Sequence, residues 1–257
     1  MDLFRTWVRR ALVGGVGLMG PLATAGYAQQ EPVYPVYDGF HVTEDGVYVL
    51  SFAYFSHNFE PVSVSPGPDN RFLTGAEDRQ QPTRFLPGHN RYQCVMVMDA
   101  GFEGGVRWHL ERAGVVSSTS EDMLQYNWEL ESGSVRQILR DVDVAAAPRG
   151  VCLNRAPTVR FLGLRNGPAG APPEVAVEVG AELKLFGSVR DEGLPRTGEL
   201  KSRWSKLSGP GEVVFSAPNE PRTLATFEAA GSYELELWAS DGKREGASRV
   251  VVIATTD

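Results

Sequence analysis

The sequence predicts an all-β protein built as two β-sandwich domains. Three observations carry that expectation. The 257 residues are 42% hydrophobic yet hold 28 glycines and 17 prolines, enough apolar mass for a core but too many turn residues for long helices. Short runs of alternating apolar and polar residues, bounded by Gly, Pro, Asn and Asp, recur along most of the chain. The stretch DVAAAPRGVCLNRAP has small residues, two prolines and no apolar period. It sets a linker at 148–157 between a first domain at 29–147 and a second at 158–257.

The first 28 residues stand apart. Arg5, Arg9 and Arg10 precede a mostly apolar run from Ala11 to Ala25, and Gly26-Tyr27-Ala28 puts small residues where a signal peptidase reads. The run falls short of the ~20 apolar residues that span a bilayer, and Pro21 interrupts it. The expectation is therefore a cleaved secretory signal rather than a retained anchor, with a mature N-terminus at Gln29. Losing three arginines and one aspartate takes the net charge from −7 to −9. An acidic chain without basic clusters in its sequence is not expected to bind nucleic acid. No later segment is long and apolar enough to span a membrane, so the expected location is the periplasm, the cell surface or the medium.

In the first domain, YDGFHVTE and VYVLSFAYF flank Asp45-Gly46, which predicts a hairpin with a two-residue turn. Tyr48, Leu50, Phe52 and Tyr54 fall on one face, and Val47, Val49, Ala53 and Phe55 on the other, so both faces should be covered. Further strands are expected at Arg91 to Met98, at Val106 to Ser117 with His109 on the solvent side, and near Leu124 to Leu130. Val135, Ile138, Leu139 and Val142 recur at helical spacing, and Ser134 with Gln137 suggests a capping box. The polar segment from Ser65 to Asn90 is long for a loop, and its charges alternate in sign as on a solvated ion-pair surface. Cys94 and Cys152 form no CxxC pair, and in an oxidising compartment they are expected to join as a disulfide. Two separate buried thiols are the alternative.

The second domain has strand-like runs in AELKLFGSVRDEG, ELKSRWSKLSGPGEVVF, RTLATFEAAG, SYELELWASDG and ASRVVVIAT. Trp204 takes a core-facing register. In SYELELWASD, Tyr233, Leu235, Leu237 and Ala239 alternate with Ser232, Glu234, Glu236 and Trp238, so a core-facing first set turns Trp238 outward. The outer face beside it should carry Lys201 and Arg203, making Trp238 and Arg203 a candidate surface for binding, for docking the first domain or for a local cation–π pair.

Through NRAPTV, GSVRDEGLP, RWSKLSGPGEVVF, TFEAAGSYELELWASDG and the final valine strand, residues 154–255 resemble the PKD-like (polycystic-kidney-disease) immunoglobulin-type domains of bacterial exoproteins. That resemblance implies an immunoglobulin-like sandwich acting as a spacer or as a contact for protein or polysaccharide. Relatives often carry two aspartates before Gly-Leu-Pro, where this chain has Asp191 and Glu192 after Arg190. AYFSHNFE, GPDNR and DRQQPTRFLPGHNRYQ in the first domain resemble an uncharacterised exported bacterial family with no known activity.

In such a sandwich the loops carrying Asp191, Glu192 and Asp241 meet at one end, a candidate calcium site. The count falls short of the six to eight oxygens calcium takes, with Arg190, Lys243 and Arg244 close by in sequence. Asp241-Gly242 also suits a tight turn. His41, His57, His89 and His109 show no paired metal spacing, and neither a Gly-x-Ser-x-Gly elbow nor a phosphate-binding loop is present. No catalytic residue and no resident cofactor are expected. The function expected is an exported, non-catalytic binding, adhesion or scaffolding protein engaging extracellular protein or polysaccharide. The alternative is a secreted hydrolase with its site on the Ser65 to Asn90 loop.

Overall fold

A computed structural model describes residues 30–256, so the expected signal at 1–28 lies outside the described residues. The chain folds as two β-sandwiches. The first holds β1 (Val33–Val42), β2 (Tyr48–Ser56), β3 (Val62–Ser63), β4 (Asn70–Phe72), β5 (Arg84–Phe85), β6 (Gly88–Met98), β7 (Trp108–Arg112) and β8 (Val115–Ser118), followed by helix α1 (Ser132–Ile138). One antiparallel sheet runs β1-β2-β6 and the other β4-β7-β8, with β3 and β5 paired at the side.

The period-2 pattern of β2 explains the packing. Leu50, Phe52 and Tyr54 join Phe72, Phe85 and Trp108 in the core between the sheets, where Phe52 meets Phe72 edge-on at 5.6 Å and Phe72 stacks on Trp108. Val49 on the opposite face packs with Val95, Val97, Leu130, Ile138 and Leu153. The central strand is thus buried on both faces, and α1 and the chain after it serve as a third layer over β2 and β6. Cys94 is bonded to Cys152. Cys152 pairs beside Met96 and Leu153 donates to the Val95 carbonyl, so the chain packs as part of the first sandwich at least to Leu153.

Local chemistry departs from the sequence expectation in several places. The β1–β2 hairpin has a three-residue loop, closed by Thr43 and Val47, with positive φ at Gly46 and not at Asp45. Thr43 accounts for the extra residue, since its hydroxyl also accepts the Val47 N–H. The stretch expected as one strand to Ser117 is instead a hairpin, because Ala113 and Gly114 both take positive φ (54° and 73°) and reverse the chain. His109 is consequently not solvated. It lies on the middle strand between Arg71 and Ser118, 9% exposed, with its Nδ1 3.1 Å from the Ser118 hydroxyl. Tyr126–Trp128 forms a 3₁₀ turn where a strand was expected, docked by the Leu130 N–H on the Phe40 carbonyl. The capping box does not form: Glu131 is the N-cap of α1, and Ser134 sits inside the helix, accepting the Tyr92 hydroxyl.

The second sandwich comprises β9 (Thr158–Phe161), β10 (Glu174–Glu178), β11 (Leu183–Arg190), β12 (Lys201–Ser208), β13 (Val213–Phe215), β14 (Arg222–Phe227), β15 (Gly231–Ser240) and β16 (Glu245–Thr255). Its sheets run β13-β14-β11-β9 and β10-β16-β15-β12, and β10 pairs parallel with β16. This is immunoglobulin-like order. Trp204 lies between Phe161 and Phe215, 3% exposed. Tyr233 is fully buried at the corner where β14 passes to β15, and its hydroxyl donates to the Ala229 carbonyl at 2.7 Å while accepting the Gly211 N–H. Gly209 (φ 137°) lies against that ring, where a Cβ would collide.

Candidate functional site

The outer face of the β10-β16-β15-β12 sheet presents the best-formed surface. Alternation along β15 buries Tyr233, Leu235, Leu237 and Ala239 and leaves Trp238 half-buried on the outside. Cross-strand pairing sets Trp238 between Arg203 on β12 and Ala247 on β16. The small alanine leaves the indole uncovered on one flank. Arg203 covers the other, its guanidinium carbon 5.8 Å from the ring centroid. A groove of about 610 Å³ reaches Trp238, lined also by Glu199, Lys201, Asn219 and Glu220. A second groove of about 310 Å³, lined by Ser240, Asp241 and Lys243, also reaches Trp238 and shares Glu199 and Lys201 with the first. A π face flanked by amide, ammonium and carboxylate groups can stack an apolar ring face while bonding its hydroxyls.

The loops carrying Asp191, Glu192 and Asp241 do meet, and Asp191 senses the charge of Asp241. They do not fit calcium. Among the described residues no group of three or more carboxylate, imidazole or thiol side chains gathers closely enough to hold a metal, and each carboxylate has other work. Asp241 Oδ1 accepts the N–H groups of Lys243 and Arg244, both at 2.6 Å, which closes the β15–β16 turn. Glu192 accepts the Arg155 N–H and lies 3.9 Å from the Arg155 guanidinium. Asp191 Oδ2 accepts the Gly193 N–H at 2.7 Å. The oxygens left without partners, Asp191 Oδ1 and Asp241 Oδ2, fall well short of a calcium shell. Burial pushes Glu192 up to about 8, against the pull of Arg155, and pushes Asp191 up to about 6, with Asp241 adding to the rise.

The Ser65 to Asn90 segment is ordered by buried amides. Asn70 is fully buried, donates to the Val64 and Pro82 carbonyls, and accepts the Trp108 indole N–H. Gln81 donates to the Asn70 carbonyl and accepts the Arg79 N–H. Arg79 reaches the Thr74 and Gly150 carbonyls. Of its acidic groups, Glu77 pairs with Arg71 and Asp78 with Arg196 of the second sandwich, through two bonds of 2.8 Å. That bidentate pair staples the sandwiches together. Arg196 also donates to the Gln81 carbonyl, Arg155 to the Tyr92 carbonyl, and Arg244 to the Asp141 carbonyl. Sequence reading missed these junction arginines because each partner lies 60 to 120 positions away, whereas the outward turn of Trp238 was visible in a ten-residue alternation.

No protein-family model matches the sequence. Among solved structures, the PKD domain of the KIAA 1837 protein is 21% identical over 37% of this chain and 86% of its own, with a TM-score of 0.25. The N-terminal four immunoglobulin domains of Dscam1 isoform 4.44 are 13% identical over 89% of this chain and 55% of theirs, TM-score 0.28. Three N-terminal domains of the bacteriophage RB49 outer capsid protein Hoc are 8% identical over 88% of this chain and 59% of theirs, TM-score 0.26. The immunoglobulin-like character of the second sandwich rests on its own strand order, parallel β10–β16 pairing and tyrosine corner.

Proposed function

We propose that the chain is an exported, non-catalytic binding or scaffolding protein without a resident cofactor, its second sandwich PKD-like, engaging extracellular protein or polysaccharide. The observation that supports this reading is Trp238, an outward indole that lines two adjoining grooves. Fold alone does not choose between binding and catalysis, so the reading leans on that surface and on a junction in which Arg196 of the second sandwich bonds Asp78 of the first. The disulfide is in keeping with export. No helix among the described residues is long and apolar enough to cross a membrane.

The test is a screen of the purified mature protein against a glycan array and immobilised extracellular proteins, with generic ester and glycoside substrates in parallel. Ligand capture that weakens at least tenfold in Trp238→Ala, without turnover of any substrate, is the expected result. Sustained turnover abolished by a single substitution in the Ser65 to Asn90 segment would overturn the reading in favour of a hydrolase. Mass spectrometry of the exported protein should find its N-terminus at Gln29.

A further inference from the structure

The cleft between the two sandwiches carries more arginines than carboxyls, although the chain's net charge is −7. About 430 Å³ in volume, it is lined by Arg91 of β6, Arg155 of the connecting segment, Arg160 of β9 and Arg190 of β11, with His89 and the carboxyls of Asp191 and Glu192 also in its wall. No stretch of sequence announces this patch, because the fold gathers it from four separate segments. Two of the arginines are held by carboxyl groups of the fold, Arg91 by Asp38 at 2.8 Å and Arg155 by Glu192 at 3.9 Å. Arg160 and Arg190 are not: both are exposed, and neither has an ion-pair partner among the described residues.

Their placement is specific. Arg160 pairs across the β9–β11 ladder with Ser188, two residues before Arg190, so the two guanidinium groups stand on the same outer face as diagonal neighbours, with backbones about 7 to 8 Å apart. Like charges so placed repel one another, and an oxyanion held between them relieves the repulsion. Guanidinium forks match planar carboxylates bidentately.

The first sandwich continues the surface with aromatics. Tyr34, Phe55 and His89 form one row across β1, β2 and β6. His57 packs edge-on against both Tyr34 (5.5 Å) and Phe55 (4.8 Å), and His89 lies both in this row and in the cleft wall. Phe55 is 37% exposed at the C-terminal end of β2, beyond the part of the strand that is buried on both faces. An exposed aromatic row leading into unpaired arginines complements a chain that alternates flat apolar ring faces with anionic groups.

We propose that this cleft and the aromatic row running into it bind an acidic polysaccharide of uronic-acid units, with Arg160 and Arg190 holding its carboxylates and Phe55 stacking on a sugar face. The proposal rests on the binding reading above and names a ligand class at a surface separate from Trp238.

Calorimetric titration of the mature protein with a galacturonate hexamer tests it, with a sulfated heparin-type oligosaccharide, a neutral dextran oligomer and poly-glutamate as comparisons. The hexamer is expected to bind at least tenfold more tightly than dextran and to weaken with added salt. Arg160→Gln/Arg190→Gln should lose at least tenfold in affinity without a change in melting temperature. Phe55→Ala should weaken the hexamer but not poly-glutamate. Equal affinity for poly-glutamate would reduce the cleft to a field of charge and overturn the proposal, as would a tenfold preference for the sulfated chain or an unchanged double variant. Failure of all acidic sugars, with a Trp238-dependent ligand still captured, would overturn this inference and leave the proposed function standing. Cleavage of the hexamer would do the reverse.

Discussion

Truncating each of the two tryptophans on neighbouring strands of the second sandwich should have very different costs. Trp204 is 3% exposed, lies between Phe161 at 5.6 Å and Phe215 at 6.1 Å, and donates its indole N–H to the Pro221 carbonyl. Removing it leaves a cavity between two aromatic rings, while the Pro221 carbonyl keeps the Gly187 N–H, so Trp204→Ala should cost about 3 to 5 kcal/mol, nearly all of it lost packing. Trp238 is half-buried and faces outward, with Arg203 as its ring partner. Trp238→Ala should lose little more than that exposed contact, about 0.5 to 1 kcal/mol. The difference, roughly 2 to 4.5 kcal/mol, corresponds to a separation of about thirtyfold or more in the unfolding equilibrium. Urea unfolding of the whole chain, followed by far-ultraviolet circular dichroism, reads both variants against the parent, with Arg203→Ala expected to match Trp238→Ala. A loss at Trp238 as large as that at Trp204 would refute the outward register and, with it, the binding surface.

Three further outcomes follow from the same structure. The Cys94–Cys152 bridge spans 58 positions, so replacing both cysteines with serine should cost about 4 kcal/mol in the chain-entropy model; denatured, unreduced protein should take up no alkylating label, and labelling of both cysteines would refute the bond. Tyr233→Phe removes the corner hydroxyl that donates to Ala229 and accepts from Gly211, and should destabilise by about 1 kcal/mol with the core ring retained; no change in the urea midpoint would show the corner bond to be idle. Burial raises Glu192 from 4.5 to about 8 and Asp191 from 3.8 to about 6, so each binds its proton more tightly folded than unfolded, and their contribution is full in mild acid and lost as pH rises through the folded values. Thermal melts should therefore show the junction weakening between about pH 4.5 and 8, with Glu192→Gln flattening the profile; a contribution that grows with pH across that interval would refute the assignment.

How much of this was legible beforehand depended on the range over which each feature is decided. Whether a residue faces inward or outward along a strand is local, because side chains alternate with period 2. The inward Trp204, the outward Trp238 and the doubly covered β2 could therefore all be read from ten-residue windows. Features set by a neighbour's geometry could not. His109 reads as solvated in its own alternation, yet it is shielded because β4 and β8 close on both sides of it. Asp45-Gly46 reads as a two-residue turn, yet Thr43 lengthens the loop. Asp191, Glu192 and Asp241 read as a candidate calcium set already short of oxygens, with Asp241 suited to a turn; the turn is what Asp241 closes, while the engagement of Glu192 with Arg155 was not visible.

The sequence by itself determined the β character, the presence of two sandwiches and the immunoglobulin-like pattern of the second, because alternation and turn chemistry are carried by short stretches; it left the two cysteines either paired or separate, and the fold joined them. Only the tertiary structure decided which charges are paired and which stand open. Asp78 and Arg196 are 118 positions apart and bonded, while Arg160 and Arg190 are gathered with Arg91 and Arg155 into one cleft and have no ion-pair partner among the described residues. Charge is a property of single residues, but its neutralisation depends on distance through space, and that distance is set by how the sandwiches pack rather than by position along the chain.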